Sequence, residues 1–243
     1  MSVNTDKGRH QARRLHLDKD LEILRTHGHE ISGARLILAR NKNSEIHPFI
    51  TAWVAPWQKT IRDFIRHDSE AGAVANFEAK RESDPPVTTD LKRDWQKSAV
   101  YGWEEATIRR HDSELSPDHL NNVVARVAKE FNLTSVPTIS AQKKRLQFLA
   151  DYNNEKNHIR IHNGHRQWRL SYVLHEMAHA IDARNNGNIW SDHGPSFMRT
   201  LLTVVERYKF WHGAEELEQP ANAAKLMIAP AEALPHLLKP KIQ

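Results

Sequence analysis

A chain of 243 residues that is 39% hydrophobic and 27% charged, with a net charge of +5, has room for one good domain and a smaller element. No stretch approaches the roughly 20 apolar residues of a bilayer span, and the start Met-Ser-Val-Asn-Thr-Asp-Lys lacks an apolar signal core, so a cytoplasmic or nucleoid-associated protein is expected. With no Cys at all, disulfides, thiol catalysis and Cys-based zinc fingers are excluded.

Residues 1–90 read as a basic, mainly helical N-terminal extension. Stretches 13–24 and 52–77 look helical, the second offering Trp53, Trp57, Ile61, Phe64 and Ile65 as an apolar face. Trp-Gln-Lys occurs at 57–59 and 95–97, and Arg-His-Asp-Ser-Glu at 66–70 and 110–114. A duplicated helical unit or coincidence would explain these short matches equally well. Asp84-Pro85-Pro86 is the natural linker, and the segment from Trp95 to Arg110 opens the next domain.

Ser116-Pro117-Asp118 is a helix start, followed by Leu120, Val123, Val124, Val127, Ala128 and Phe131 on one face. Strands are expected at 136–140 and 146–152, joined by the basic Lys143-Lys144-Arg145, and at 158–162, where polar and apolar residues alternate. His158, His162 and His165 have no carboxylate or Cys beside them, so solvent-facing histidines are a better reading than a second metal site.

From Trp168 to Arg184, Leu170, Val173, Leu174, Met177, Ala178 and Ile181 recur at three- and four-residue spacing, and Asn185-Asn186-Gly187 ends the run. This helix carries His175-Glu176-Met177-Ala178-His179, an H-E-x-x-H. Two imidazoles four residues apart share one helix face and can grip a zinc ion, with Glu176 placed as general base. A catalytic zinc needs a third protein ligand and one open position. His193 is the best candidate, because Gly194-Pro195 turns the chain directly into a helix carrying Phe197, Met198, Leu201, Leu202 and Val205. Glu206 would suit a two-His-one-Glu site, and Asp192 fits better as a loop residue. Asp182 and Asn185 stand where a metzincin needs Gly and His, which excludes that class.

His-Glu-Met-Ala-His-Ala at 175–180, a loop, and His-Gly-Pro-Ser-Phe at 193–197 together resemble the SprT-like zinc metalloproteases, the group that includes Spartan. The resemblance spans roughly residues 95–212. It implies an α+β zincin-like domain over 91–212, with zinc held by His175, His179 and His193, Glu176 as catalytic base, and Phe197 as the aromatic after the third ligand. It also implies protein substrates, including proteins on DNA. By analogy with zincins, the strand at 158–162 would run along the cleft and pair with substrate. Two features depart from the family: Asp192 stands where a Gly often precedes the third His, and without Cys no zinc ribbon can follow. Residues 213–243 read as an Ala- and Pro-rich tail, either loosely wrapped or mobile.

Charge is uneven. Residues 1–42 hold nine Lys/Arg against five Asp/Glu, and 140–170 hold seven against two. A basic arm and the Lys143-Lys144-Arg145 loop could contact DNA; a solvated surface explains them equally well. Tyr208 and His212, after the closing helix, are the available candidates for stabilising an oxyanion. Two alternatives to a zinc protease stand open: a zinc amidohydrolase acting on a small substrate in an enclosed pocket, and a nucleic-acid-binding protein whose zinc site is structural or vestigial.

Overall fold

The computed structural model describes residues 14–112, 114–142, 149–162, 168–186, 192–208 and 217–237. It is an α+β structure that divides into two compact units. One comprises Met1–His29 and Ala34–Pro86, the other Glu30–Gly33 and Val87–Gln243.

The first unit is built on strands, which corrects the expected helical extension. The described part of the stretch 13–24, read as one helix, instead forms β1 (Leu15–His16), the four-residue α1 (Leu17–Asp20) and the start of β2 (Leu21–Gly28). β3 (Arg35–Asn41) and β4 (Phe49–Val54) follow. Residues 52–77 then run through the end of β4, a turn, β5 (Thr60–Ile61), β6 (Ile65–His67) and only then into α2 (Glu70–Arg81). An antiparallel sheet has the order β2-β3-β4-β6, and β1 pairs with β5 beside it.

β3 shows why. Its run Leu36-Ile37-Leu38-Ala39 is buried throughout, because successive side chains leave opposite faces of a strand and both faces are covered. Leu36 and Leu38 meet Ala73 and Phe77 of α2, while Ile37 and Ala39 pack with Leu15, Ile50 and Ile61. The two Arg-His-Asp-Ser-Glu matches adopt unrelated structures where they are described, so no duplicated helical unit is seen among the described residues. In the first, Ser69 caps α2 by accepting from the Gly72 N–H at 3.2 Å; the second runs through a 3-10 turn, Arg109–His111.

The second unit opens with α3 (Thr89–Lys92) and α4 (Lys97–Ala106). α5 (Pro117–Glu130) starts as its sequence demands, with the Ser116 hydroxyl accepting from the His119 N–H at 3.2 Å and Pro117 in the first turn. Then come β7 (Thr138–Gln142), β8 (Ala150–Asn153), β9 (His158–His162), α6 (Leu170–Asn186) and α7 (Pro195–Tyr208). The sheet order is β7-β9-β8, with β9 parallel to β7 and antiparallel to β8. β9 is therefore bonded on both edges, and β8 is an outer strand. This overturns the expectation that 158–162 lies open along the cleft.

α5, α6 and α7 enclose one core in which Val124, Val173, Leu174, Met177, Ile181, Phe197 and Leu201 are almost fully buried. Each such side chain contributes ~1.5–3 kcal/mol by leaving water. Leu217, which caps α8 (Glu218–Ala223), and Ala221 within it, with Leu226, Ala229, Leu234 and Leu237, belong to the same core. The described part of the expected loose tail is thus packed structure. Arg199 fixes it to α7 through a two-pronged bridge to Glu218 at 2.9 and 3.0 Å. No helix among the described residues is long and apolar enough to cross a membrane.

Candidate metal centre

α6 carries His175, Glu176 and His179 on its face toward the turn that precedes α7, and that turn carries His193. Pro195 begins α7 with no amide proton to satisfy, so the chain can turn sharply just ahead of a rigid helix. The three imidazoles converge through their Nε2 atoms. His175 Nε2 lies 3.2 Å from that of His179 and 3.3 Å from that of His193. Nitrogens held ~2.0–2.1 Å from a tetrahedral metal sit about 3.3–3.4 Å apart. The three histidines thus lie close enough to bind one metal ion.

Both buried outer nitrogens have carboxylate partners. His175 Nδ1 is 2.8 Å from Glu104 Oε1, and His193 Nδ1 is 2.7 Å from Asp94 Oδ2. In the neutral rings these Nδ1 protons are donated outward, leaving an Nε2 lone pair on each ring aimed at the shared centre. Two such lone pairs at this distance repel unless a metal ion or a shared proton lies between them. Further bonds hold the framework. Arg109 donates to Glu104 Oε2 at 3.3 Å, the Asp94 carboxylate also accepts from the His193 N–H, and Gln96 donates to the His193 carbonyl at 2.6 Å. Phe197 stacks on His179 with ring centres 4.3 Å apart and meets the other two rings edge-on.

The electrostatics follow from burial and these contacts. Burial alone would raise the Glu104 carboxyl, but His175 and Arg109 beside it hold it below the ordinary carboxylate range. Burial likewise works against ionised Asp94, and its bonds to His193 prevail and lower it. Burial depresses His179 far below the usual imidazole range, with the His193 and His175 charges adding to it, so this ring is neutral. Glu176 is pushed up to about 7, first by burial and then by the neighbouring Asp151 and Glu104 charges, against the opposing pull of His175.

A cleft of about 170 Å³ opens over these atoms, lined by Tyr101, Asp151, Tyr152, Glu176, His179 and His193 among others. The residues expected at the site are therefore together. Asp192 lines the cleft but stands outside the ligand cluster, and Glu206 is exposed far along α7. Tyr208, a sequence candidate for the oxyanion, lies at the far end of α7 near Glu130 and Arg126 and does not line the cleft. His212, His165 and the Lys143-Lys144-Arg145 loop lie outside the described residues. His158 bonds to the Thr138 and Ser140 hydroxyls of β7, a structural role in the sheet.

Sequence reasoning missed the contribution of residues 94–104. Lys97, Tyr101 and Glu104 recur at four- and three-residue spacing, one face of α4, and all border the metal cluster or its cleft. That spacing was the available signal, but a polar helix face normally points to water.

Comparison of the chain with protein-family models, curated proteins and solved structures finds no match.

Proposed function

We propose that this chain is a zinc metalloprotease, a zincin of the SprT-like kind, in which His175, His179 and His193 hold the metal and Glu176 is the catalytic base. The observation that carries the reading is the convergence of three imidazoles, with the His175 Nε2 atom 3.2 and 3.3 Å from those of His179 and His193, beside the buried Glu176 carboxyl. When bound, zinc polarises the scissile carbonyl and makes a water acidic near neutral pH. Glu176 takes a proton from the attacking water as its oxygen bonds to the carbonyl carbon. It then passes that proton to the amide nitrogen as the carbon–nitrogen bond breaks. Burial raises this carboxyl's affinity for a proton above that of an ordinary Glu, which suits both transfers. Glu104 and Asp94 orient the rings of His175 and His193 throughout. β8, the outer strand that lines the cleft, offers an edge along which an extended substrate can pair.

Two features support this reading over the alternatives. Enclosed small-molecule pockets run ~300–1,000 Å³, whereas this cleft holds about 170 Å³, room for the groups around one bond while the rest of a chain lies outside. A structural zinc is closed by four protein ligands, and among the described residues this cluster offers three, beside an open cleft. Zinc-loaded protein should hydrolyse casein, and Glu176→Gln should keep its zinc while losing turnover by at least about 10²-fold. Wild-type turnover in that variant would sink the mechanism.

The finer proposal is that the substrates are proteins on DNA. It rests on the family resemblance and on the basic runs at 1–42 and 140–170 of the sequence. Gel-shift titrations should show DNA affinity falling steeply with salt and weakening when Lys143, Lys144 and Arg145 are all replaced by Ala. Absence of binding by the wild type at low salt would remove DNA from the reading.

A further inference from the structure

Hydrolysis of an amide needs a donor for the carbonyl oxygen as it takes on negative charge, and neither Tyr208 nor any ligand side chain supplies one. Tyr101 occupies the right ground. Its ring centre lies 5.1 Å from that of His193 and 5.5 Å from that of His175, so it packs against two of the three ligand rings. It borders the same cleft as Glu176 and His179.

Two cations flank its ring, the Lys97 ammonium at 5.7 Å and the Arg109 guanidinium at 5.8 Å from the centroid. One neighbour is four residues before it on α4, and the other is tied to Glu104, so both contacts help fix the ring. Its hydroxyl is the ring's single polar atom. Burial, followed by the Glu176 charge, pushes that hydroxyl well above its ordinary range. Tyr101, Glu176, His179 and His193 line one cleft, which puts Tyr101 at the same space as the catalytic carboxyl.

We infer that Tyr101 is a catalytic residue whose hydroxyl donates a hydrogen bond to the substrate's carbonyl oxygen as the carbon–oxygen double bond opens. The inference rests on the reading of this site as an amide-hydrolysing centre. The phenolic proton stays on Tyr101 throughout, and the proton that reaches the leaving amine is the one carried by Glu176. Such a donor acts where charge develops and gains strength in a site with little water.

The test uses full-length zinc-loaded protein and a peptide phosphonamidate, a tetrahedral anion shaped like the attacked amide, titrated by calorimetry. Tyr101→Phe removes only the hydroxyl and keeps the ring packed. It should retain full zinc, bind the phosphonamidate at least about tenfold more weakly, and lower kcat on casein by about 10²-fold with KM little changed. Unchanged phosphonamidate affinity in Tyr101→Phe overturns the inference whatever the hydrolysis assay reads. Weakening confined to Lys97→Met also overturns it and moves the donor to the ammonium. If the wild type cleaves no protein but Tyr101→Phe still loses the anion, the donor role stands and the protease reading alone fails.

Discussion

His193 is fixed from three directions, by Asp94 at its ring and amide and by Gln96 at its carbonyl. A ligand so immobilised loses little freedom on metal binding, which makes it costly to replace. His193→Ala should therefore lower zinc occupancy sharply, while Glu206→Ala, on an exposed stretch of α7, should leave it intact. Metal analysis of the purified variants checks this, and the opposite pattern would reassign the third ligand. Glu176 makes a prediction about pH. Its carboxyl is raised to about 7 by burial, so it is mostly protonated at pH 6 and mostly ionised at pH 8. Only the ionised form accepts a proton, and a bound dication favours ionisation, so hydrolysis by the metal-loaded protein should rise with pH through a value below about 7. The sign for stability is opposite: an unfolded Glu ionises near 4.5, so between 4.5 and 7 the folded metal-free protein holds the extra proton and loses stability as pH rises. Glu176→Gln removes that loss. The melting-temperature advantage of metal-free Glu176→Gln over wild type should grow from pH 4.5 to 7 and then level off. An advantage independent of pH would show that Glu176 is not raised.

At the scale of elements, α4 behaves as a supporting wall of the metal centre. Glu104 is fully buried and joins Arg109 to His175, so Glu104→Ala strips the ring of its acceptor and leaves a guanidinium with one partner fewer. Zinc affinity should fall by about 10–100-fold, the usual consequence of removing such a partner. Glu104→Gln, which can still accept from Nδ1, should recover part of it. Competition with a chelator of known affinity measures both, and wild-type affinity in Glu104→Ala would mean that packing alone orients His175. The contrast between α6 and α4 explains what could be read in the sequence. His175, Glu176, His179 and His193 sit within 18 residues, on a helix and a helix start announced by periodicity, Gly and Pro. Glu104 and Asp94 act from 71 and 99 residues away, and nothing local separates a buried carboxylate from a solvated one. The strands of the first unit failed for a different reason. Trp53, Trp57, Ile61, Phe64 and Ile65 fall at helical spacing but belong to β4, a turn, β5, the following link and β6, and Pro56 was the local sign against a continuous helix. The C-terminal segment misled because its apolar residues are sparse and irregular. Leu217, Leu226, Leu234 and Leu237 are nonetheless buried one by one along a path set by the core they cover.

On the scale of the whole molecule, the two units have separate hydrophobic cores. The sheet of the first is closed by α2 on one face and by residues around Leu15 and Ile61 on the other, without drawing on the large core of the second. All three histidines of the metal cluster, and the residues that orient them, belong to the second unit. A ligand stabilises only what folds to form its site, by an amount that grows with the logarithm of its concentration above Kd. Calorimetry of the full chain should then resolve two unfolding transitions, of which zinc raises one and leaves the other in place. A Phe77→Ala substitution, which removes a ring between α2 and the sheet, should lower the zinc-insensitive transition, because a truncated core Phe costs ~3–5 kcal/mol. Leu174→Ala, beside His175 in the second core, should lower the zinc-sensitive one. A single transition that moves as a whole with zinc, and with either substitution, would show that the units unfold as one and that the first contributes directly to the stability of the metal centre.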